Sequence, residues 1–213
     1  MGKAGSRTLV EPAEFRQAVA GLSGSVLSGS GLSGPRLSGP RLRSGTEIGE
    51  LPSPTQLAPH TYAVSVEVND GAGVEAATGR LILLHDPDGV DAWEGTLRVV
   101  AFGACEIDTD MAADVLLPDV AWSWLTEGLA ERDVDYVALG GTITITSSNR
   151  FGDIAGPPRI NELELRASWT AQTPNTAAHL AAFVDFLATA AGLPPEGVAA
   201  IREQDHPFAT KFS

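Results

Sequence analysis

The sequence predicts an α+β fold, a two-layer sandwich in which helices cover one face of a single, mainly antiparallel, five-stranded sheet. Two observations support this fold class. Apolar and polar residues alternate in several short segments joined by tight turns, which is typical of antiparallel strands. Segments with apolar residues at helical spacing lie before, between and after these strands. The predicted order of elements is therefore α-βββ-α-ββ-α.

The first 45 residues are predicted to hold a short helix and a disordered linker outside the folded domain. Apolar residues at Phe15, Ala18 and Val19 have helical spacing and indicate a helix over residues 12–20. Residues 21–45 follow a Leu-Ser-Gly pattern that ends in two copies of Leu-Ser-Gly-Pro-Arg. Ordering such a segment costs more backbone entropy than its few apolar side chains recover, so we interpret it as a flexible linker. A basic docking arm is the alternative.

Residues 46–195 are predicted to form one α+β domain, and residues 196–213 a C-terminal tail. A proline-stiffened extended segment at 51–59 precedes the first strand. Asp86-Pro87-Asp88-Gly89 has the composition of a turn, because proline presets its first central position and glycine accepts a positive φ. The five strands are predicted at residues 62–68, 78–85, 93–103, 136–147 and 161–169.

A helix is predicted over residues 114–132, with Trp124 in its buried stripe and Trp122 at the margin of that stripe. Because a marginal tryptophan is easily explained by contact with another protein, Trp122 is the candidate partner contact. Gly140-Gly141 indicates a bulge or a close backbone approach within its strand. A last helix begins after Pro174 and ends at Gly192.

The composition is that of an acidic, soluble protein. Of the 213 residues, 14 are Lys or Arg and 27 are Asp or Glu, which gives a formal net charge of -13. Such a surface repels nucleic acid and anionic lipid, so neither is an expected partner. The chain has 1 cysteine, no apolar run long enough to cross a membrane and no signal peptide, and we therefore expect a cytoplasmic protein.

Residues with catalytic potential are few. No nucleophile elbow, phosphate-binding loop, dinucleotide fingerprint or zinc-ligand spacing is present, so we expect no metal and no cofactor. The candidate polar site consists of His85, Asp86, Asp88 and His179. The carboxylates beside His85 are typical of a solvated turn, with a cation site or a functional site as alternatives. A buried, hydrogen-bonded role is the simpler interpretation of His179, and Cys105, among acidic neighbours, is expected to be inert.

Six short motifs between residues 47 and 195 form a further pattern. They are Leu57-Ala58-Pro59, Gly79-Arg80-Leu81, His85-Asp86-Pro87, the stretch from Leu116 to Leu125, Ala167-Ser168-Trp169-Thr170, and the run from Ala178 through Gly192 to Pro195. In combination these motifs resemble an uncharacterised actinobacterial family called domain of unknown function 3000. The resemblance implies a bacterial cytoplasmic setting and no established activity. Compared with that family, the Ser/Gly/Pro run looks like an insertion between the first helix and the sheet.

Two classes of function follow from these observations. The favoured one is a non-catalytic, cytoplasmic protein-binding module, chaperone-like or adaptor, because the predicted order of elements is similar to that of small secretion-chaperone-like folds. Its partner is another protein or a second copy of the chain. The alternative is a small-ligand binder or enzyme with a pocket between the sheet and the helices.

Overall fold

A six-stranded antiparallel sheet lies at the centre of the computed structural model, which describes residues 11–29, 42–154, 156 and 159–195. Its strands follow one another in space in the order β1-β2-β3-β4-β6-β5, so that β1 and β5 form the two edges. Every neighbouring pair is antiparallel. The strands are β1 (Thr46–Leu51), β2 (His60–Asn69), β3 (Glu75–Val90), β4 (Gly95–Ile107), β5 (Tyr136–Ser148) and β6 (Ile160–Ala171).

The helices that pack on the sheet cover one of its faces. The last helix lies against Gly79 of β3 and Gly103 of β4, where an added side chain would meet Phe183 and Leu187, respectively. These glycines let the helix approach the sheet closely. The helices are α1 (Ala13–Gly29), α2 (Thr109–Ala113), α3 (Leu117–Glu131) and α4 (Thr176–Ala190). The α+β class and the antiparallel sheet are thus confirmed.

Helix α4 is the centre of the helical layer and is buried along nearly its whole length. On one side, the hydroxyl of Thr176 donates to the carbonyl of Ala18 in α1. On the other side, Gly128 of α3 faces Ala182. The helix ends at Ala190, and Gly192 follows it with a φ of 70°. This φ and the bond from the Leu193 amide to the Ala188 carbonyl are typical of a glycine-terminated helix.

Helix α1 packs with the sheet and extends further than the predicted helix over residues 12–20. Its side chains Phe15, Ala18 and Leu22 are buried in the same core as the strands. Residues 21–29, which the sequence predicts as linker, continue this helix. The rest of the predicted linker up to residue 41, and the predicted tail from residue 196 onward, lie outside the described residues.

The prediction of five strands is wrong by one, since the proline-rich approach is preceded by the edge strand β1. In this strand Ile48 faces Val66 of β2 and packs against the core, whereas Glu47 and Glu50 are exposed. A strand with one apolar contact residue leaves little periodicity in the sequence. The observed order is consequently α-ββββ-αα-ββ-α.

The turn predicted at residues 86–89 is also misplaced. The chain continues in extended form through Val90, which pairs with Gly95, and reverses in a short 3-10 turn at Asp91–Trp93. Gly89 has a φ of 76° and lies in the bulge between His85 and Val90. Pro87 and Gly89 therefore lie in an irregular part of the strand, and the hairpin turn follows them in the chain.

The close backbone approach predicted at Gly140-Gly141 is confirmed, whereas the bulge lies just before these two glycines. The pairing of β5 with β6 shifts between Val137 and Gly140, and Ala138 has a φ of 50°. A side chain at Gly141 would meet the backbone of β6. None of the helices in the described ranges is both long and apolar enough to cross a membrane.

Candidate functional site

His85 of β3 is buried beneath α1. Its Nε2 lies 3.0 Å from Oε2 of Glu14, and the hydroxyl of Thr96 donates to the same carboxylate oxygen at 3.3 Å. The rings of Phe15 and His60 lie 5.7 Å and 5.9 Å from the His85 ring. Nδ1 of His85 has no hydrogen-bond partner within the described part of the chain.

This arrangement joins α1 to the sheet and supplies no activated nucleophile. A histidine held by a carboxylate forms part of many catalytic triads, but the imidazole must then face a hydroxyl or thiol within hydrogen-bonding distance. Among the described residues nothing bonds to Nδ1 of His85, and the Thr96 hydroxyl is directed to Glu14. The pair Glu14 and His85 therefore has the geometry of a structural contact.

Asp86 and Asp88 do not join His85 in one site. His85 points toward the helices with Leu83, whereas Asp86 follows on the opposite side of the strand and Asp88 is exposed. The carboxylate of Asp86 accepts a hydrogen bond from the Asp88 amide at 3.1 Å, which fixes the local backbone. Within the described ranges, no group of three or more His, Cys, Asp and Glu side chains could hold a metal ion.

His179, the fourth candidate residue, lies in the core at the start of α4. Nε1 of Trp169 donates to Nδ1 of His179 at 2.7 Å, and the two rings are stacked with their centroids 6.1 Å apart. Burial lowers the pKa of His179 to about 4, so the imidazole is neutral at physiological pH. Its hydrogen-bond partner differs from that of His85, and the structure gives the two histidines separate environments.

Cys105 is buried in β4 on the helix-covered face. Desolvation, with the nearby charge of Glu162, raises the pKa of its thiol to about 11. The thiolate is the reactive form of cysteine, so this side chain is a poor nucleophile at neutral pH.

Both tryptophans of α3 lie at the margins of its buried stripe. The stripe consists of Leu117, Ala121, Leu125, Gly128 and Leu129. The prediction that Trp124 lies in the core is wrong, because it is only partly buried. Trp122 is partly buried as well, and its ring lies over Gly141 of β5. Helical spacing places the two side chains on opposite sides of the stripe.

The beginning of α3 exposes a cluster of apolar side chains that the sequence analysis did not identify. Val115 is 88% exposed, Leu116 59% and Val120 42%. Leu116, Val120 and Trp124 follow one another at intervals of four residues and therefore form one stripe along the helix. Within this stripe the Val120 amide bonds to the Leu116 carbonyl.

The part of the chain that contains this stripe is acidic. Residues 106–131 contain seven Asp or Glu and no Lys or Arg, although β4, α2 and α3 all contribute to this stretch. Asp110, Asp114, Asp119 and Glu127 are exposed. We name this region the α2–α3 surface and define it by Val115, Leu116, Val120, Trp124 and these four acidic residues.

Comparison with known proteins gives one match. The model of a family described as a protein of unknown function (DUF3000) matches residues 33–199, which is most of the chain. No curated protein and no solved structure matches it. The matched residues include β1 to β6, His60 of β2, His85 of β3, and the α2–α3 surface. The chain therefore belongs to the DUF3000 family.

Proposed function

We propose that this protein is a non-catalytic protein-binding module, an adaptor or chaperone-like protein, whose α2–α3 surface binds a basic, apolar segment of a partner protein. The proposal includes a cytoplasmic, actinobacterial setting. A single, buried cysteine suits a reducing compartment.

The observation that carries the proposal is the exposure of neighbouring apolar side chains on the α2–α3 surface. Isolated exposed apolar residues are common on soluble proteins, whereas contiguous ones mark interaction sites. Leu116 and Val120 lie in one helical stripe with the partly buried Trp124, and Val115 directly precedes Leu116 in the chain. Tryptophan is enriched among residues that dominate binding energy. A partner that covers this stripe would remove its three side chains from water.

The charge around the stripe selects the chemistry of the partner. Every charged residue between 106 and 131 is acidic. Lysine and arginine side chains of a partner would therefore make favourable electrostatic contacts around the stripe, whereas acidic or neutral side chains would not. An amphipathic helix that presents leucine-like side chains along one face and lysine or arginine beside them matches both features.

The alternative of a ligand-binding or catalytic pocket between the sheet and the helices has less support. Among the described residues, a concavity of about 190 Å³ lies on the uncovered face of the sheet. Its lining includes Glu67, Arg80 and Phe102. Typical ligand pockets measure about 300–1,000 Å³, so this one is small even for a compact ligand.

The test uses a fluorescent synthetic peptide of leucine and lysine, about 14 residues long, with leucines at helical spacing. We expect fluorescence anisotropy to give a dissociation constant in the micromolar range that rises with salt concentration. The double variant Leu116→Ser, Val120→Ser should weaken binding at least about tenfold. The matched control is Leu57→Ser, which changes a side chain of similar exposure, 57%, at the opposite end of the sheet.

Two further peptides separate the contributions of charge and apolar contact. In one, glutamate replaces every lysine, and in the other, serine replaces every leucine. Both should bind at least about tenfold more weakly than the parent peptide. Equal binding of the parent protein and the double variant, or equal binding of the lysine and glutamate peptides, would contradict the proposal.

A further inference from the structure

The outer edge of β5 is available for pairing with another strand. Residues 140–148 run beside β6 without interruption, from Gly140 opposite Ser168 to Ser148 opposite Ile160. On its other side β5 pairs with no strand in the described part of the chain. Of these nine residues, Ile143 and Ile145 are half-buried and the rest are exposed.

The two edges of the sheet differ in how they are protected. The edge strand β1 has 6 residues, includes Glu47 and Glu50, and is followed by Pro52. Short length, charge and proline are the usual means by which proteins prevent an edge from pairing with another chain. By contrast, β5 has 13 residues and contains no charged residue and no proline. Its unpaired amide and carbonyl groups can therefore accept a further strand.

The sequence of this edge identifies the strand that fits it. Residues 142–146 read Thr-Ile-Thr-Ile-Thr, which is the same in both directions about Thr144. Thr144 is also the central residue of the regular segment 140–148. Antiparallel pairing of two copies about a two-fold axis through Thr144 places threonine opposite threonine, and Ile143 of each copy opposite Ile145 of the other. Such matched cross-strand pairs stabilise antiparallel sheets.

We propose that the chain forms a two-fold symmetric dimer in which β5 of one copy pairs antiparallel with β5 of the second, centred on Thr144. The two sheets become one continuous sheet of twelve strands, since each copy contributes six. The half-exposed Ile143 and Ile145 pair across the seam on the helix-covered face. An isologous contact of this kind closes on itself and produces a dimer without further growth. This proposal does not depend on the α2–α3 surface.

The acidic residues of the neighbouring strand β6 do not prevent this contact. The nearest carboxylates to the seam on the uncovered face include Glu162 and Glu164 of β6, opposite Thr146 and Thr144. In the dimer the two β6 strands are separated by three strand spacings of about 4.8 Å, a distance of about 14 Å. At physiological ionic strength charges are screened over about 8 Å. Repulsion between the two acidic strands is therefore weak.

Sedimentation analysis of the full chain tests the dimer. Between about 1 μM and 100 μM the mass should rise from 22.1 kDa toward twice that value. Thr144→Lys and Thr144→Glu each place like charges face to face at the two-fold axis and should weaken the dimer at least about tenfold. An equimolar mixture of the two variants should restore it, because lysine then faces glutamate. Glu50→Lys, on the β1 edge, is the matched control and should leave the mass unchanged.

Cross-linking provides a second measurement that does not depend on charged variants. Thr144→Cys should give a covalent dimer with a short bismaleimide, because Cβ atoms directly opposite across a strand pair lie about 5 Å apart. Glu50→Cys should give none. A parent chain that stays at 22.1 kDa overturns the proposal. The proposal is also overturned if neither Thr144→Lys nor Thr144→Glu weakens the dimer, or if a mixture of the two variants stays monomeric.

Discussion

Because His179 is buried beside Trp169, we expect the protein to lose stability in mild acid as the histidine is protonated on unfolding. The variant His179→Asn should not show this loss, because it has no imidazole to protonate. In the folded chain Nδ1 of His179 accepts a hydrogen bond from Trp169 at 2.7 Å. The side-chain oxygen of asparagine can lie near the position of Nδ1 and accept the same bond, but it takes up no proton in this pH range. The variant thus preserves the contact and eliminates the titration.

The size of the effect follows from the difference between the two states. The pKa of His179 is about 4 in the folded chain against an ordinary value of 6.5. Above pH 6.5 both states are neutral and the full stability is present. Between pH 6.5 and about pH 4, His179 binds a proton in the unfolded chain but not in the folded chain, so stability falls as the pH is lowered through this window. The loss amounts to about 1 kcal/mol by pH 5.5 and about 3 kcal/mol over the whole window.

Urea unfolding at pH 7.5 and pH 5.5, followed by circular dichroism, measures this loss. The parent should lose about 1 kcal/mol more than His179→Asn on going to the lower pH. Carboxylates that titrate in both proteins contribute equally and cancel in the comparison. Equal losses in parent and variant would show that burial of His179 does not keep its imidazole neutral in this pH range.

Urea unfolding also checks three further predictions. Gly141→Ala should lower the free energy of unfolding by about 1–3 kcal/mol, because a Cβ there would meet the backbone of β6 and lie 2.9 Å from the Trp122 ring. The matched control is Gly140→Ala, where a Cβ has nothing within 4 Å, and it should change the free energy of unfolding by less than about 0.5 kcal/mol. Leu22→Ala should cost about 2–5 kcal/mol, since this side chain is fully buried, and a loss below about 1 kcal/mol would show that α1 is dispensable. Trp122→Ala and Trp124→Ala should each lower the free energy of unfolding by less than about 3–5 kcal/mol, the cost of removing an aromatic side chain from a core, because both are only partly buried. A larger loss at Trp124 would show that its side chain is part of the core.

Most of the fold could be predicted from the sequence because apolar and polar residues alternate clearly in most of its strands. The exceptions have physical causes. In β1 the side chain of Ile48 packs against the core between polar residues and glycine, which leaves the strand almost without a pattern. The end of α1 contains glycine and serine, poor helix formers, but Leu22 packs in the core and tertiary contact overrides propensity.

The candidate site was less predictable, because it depends on which side of an element faces its neighbour. Val115, Leu116 and Leu117 form one apolar run, and only Leu117 is buried. Whether Trp124 packs in the core or at its margin depends on the rotation of α3 on the sheet. The palindrome about Thr144 is visible in the sequence, but that β5 forms an edge follows only from the strand order.

Nuclear magnetic resonance shows where on the chain a basic apolar segment binds. Amide signals of the isotopically labelled full chain are recorded while the leucine–lysine peptide is added. We expect the largest shifts to cluster at residues 109–127, around Leu116 and Val120, and the signals of residues near Leu57 at the other end of the sheet to remain unchanged. Shifts confined to other parts of the chain, or spread evenly over the acidic surface, would contradict the proposed binding at the α2–α3 surface.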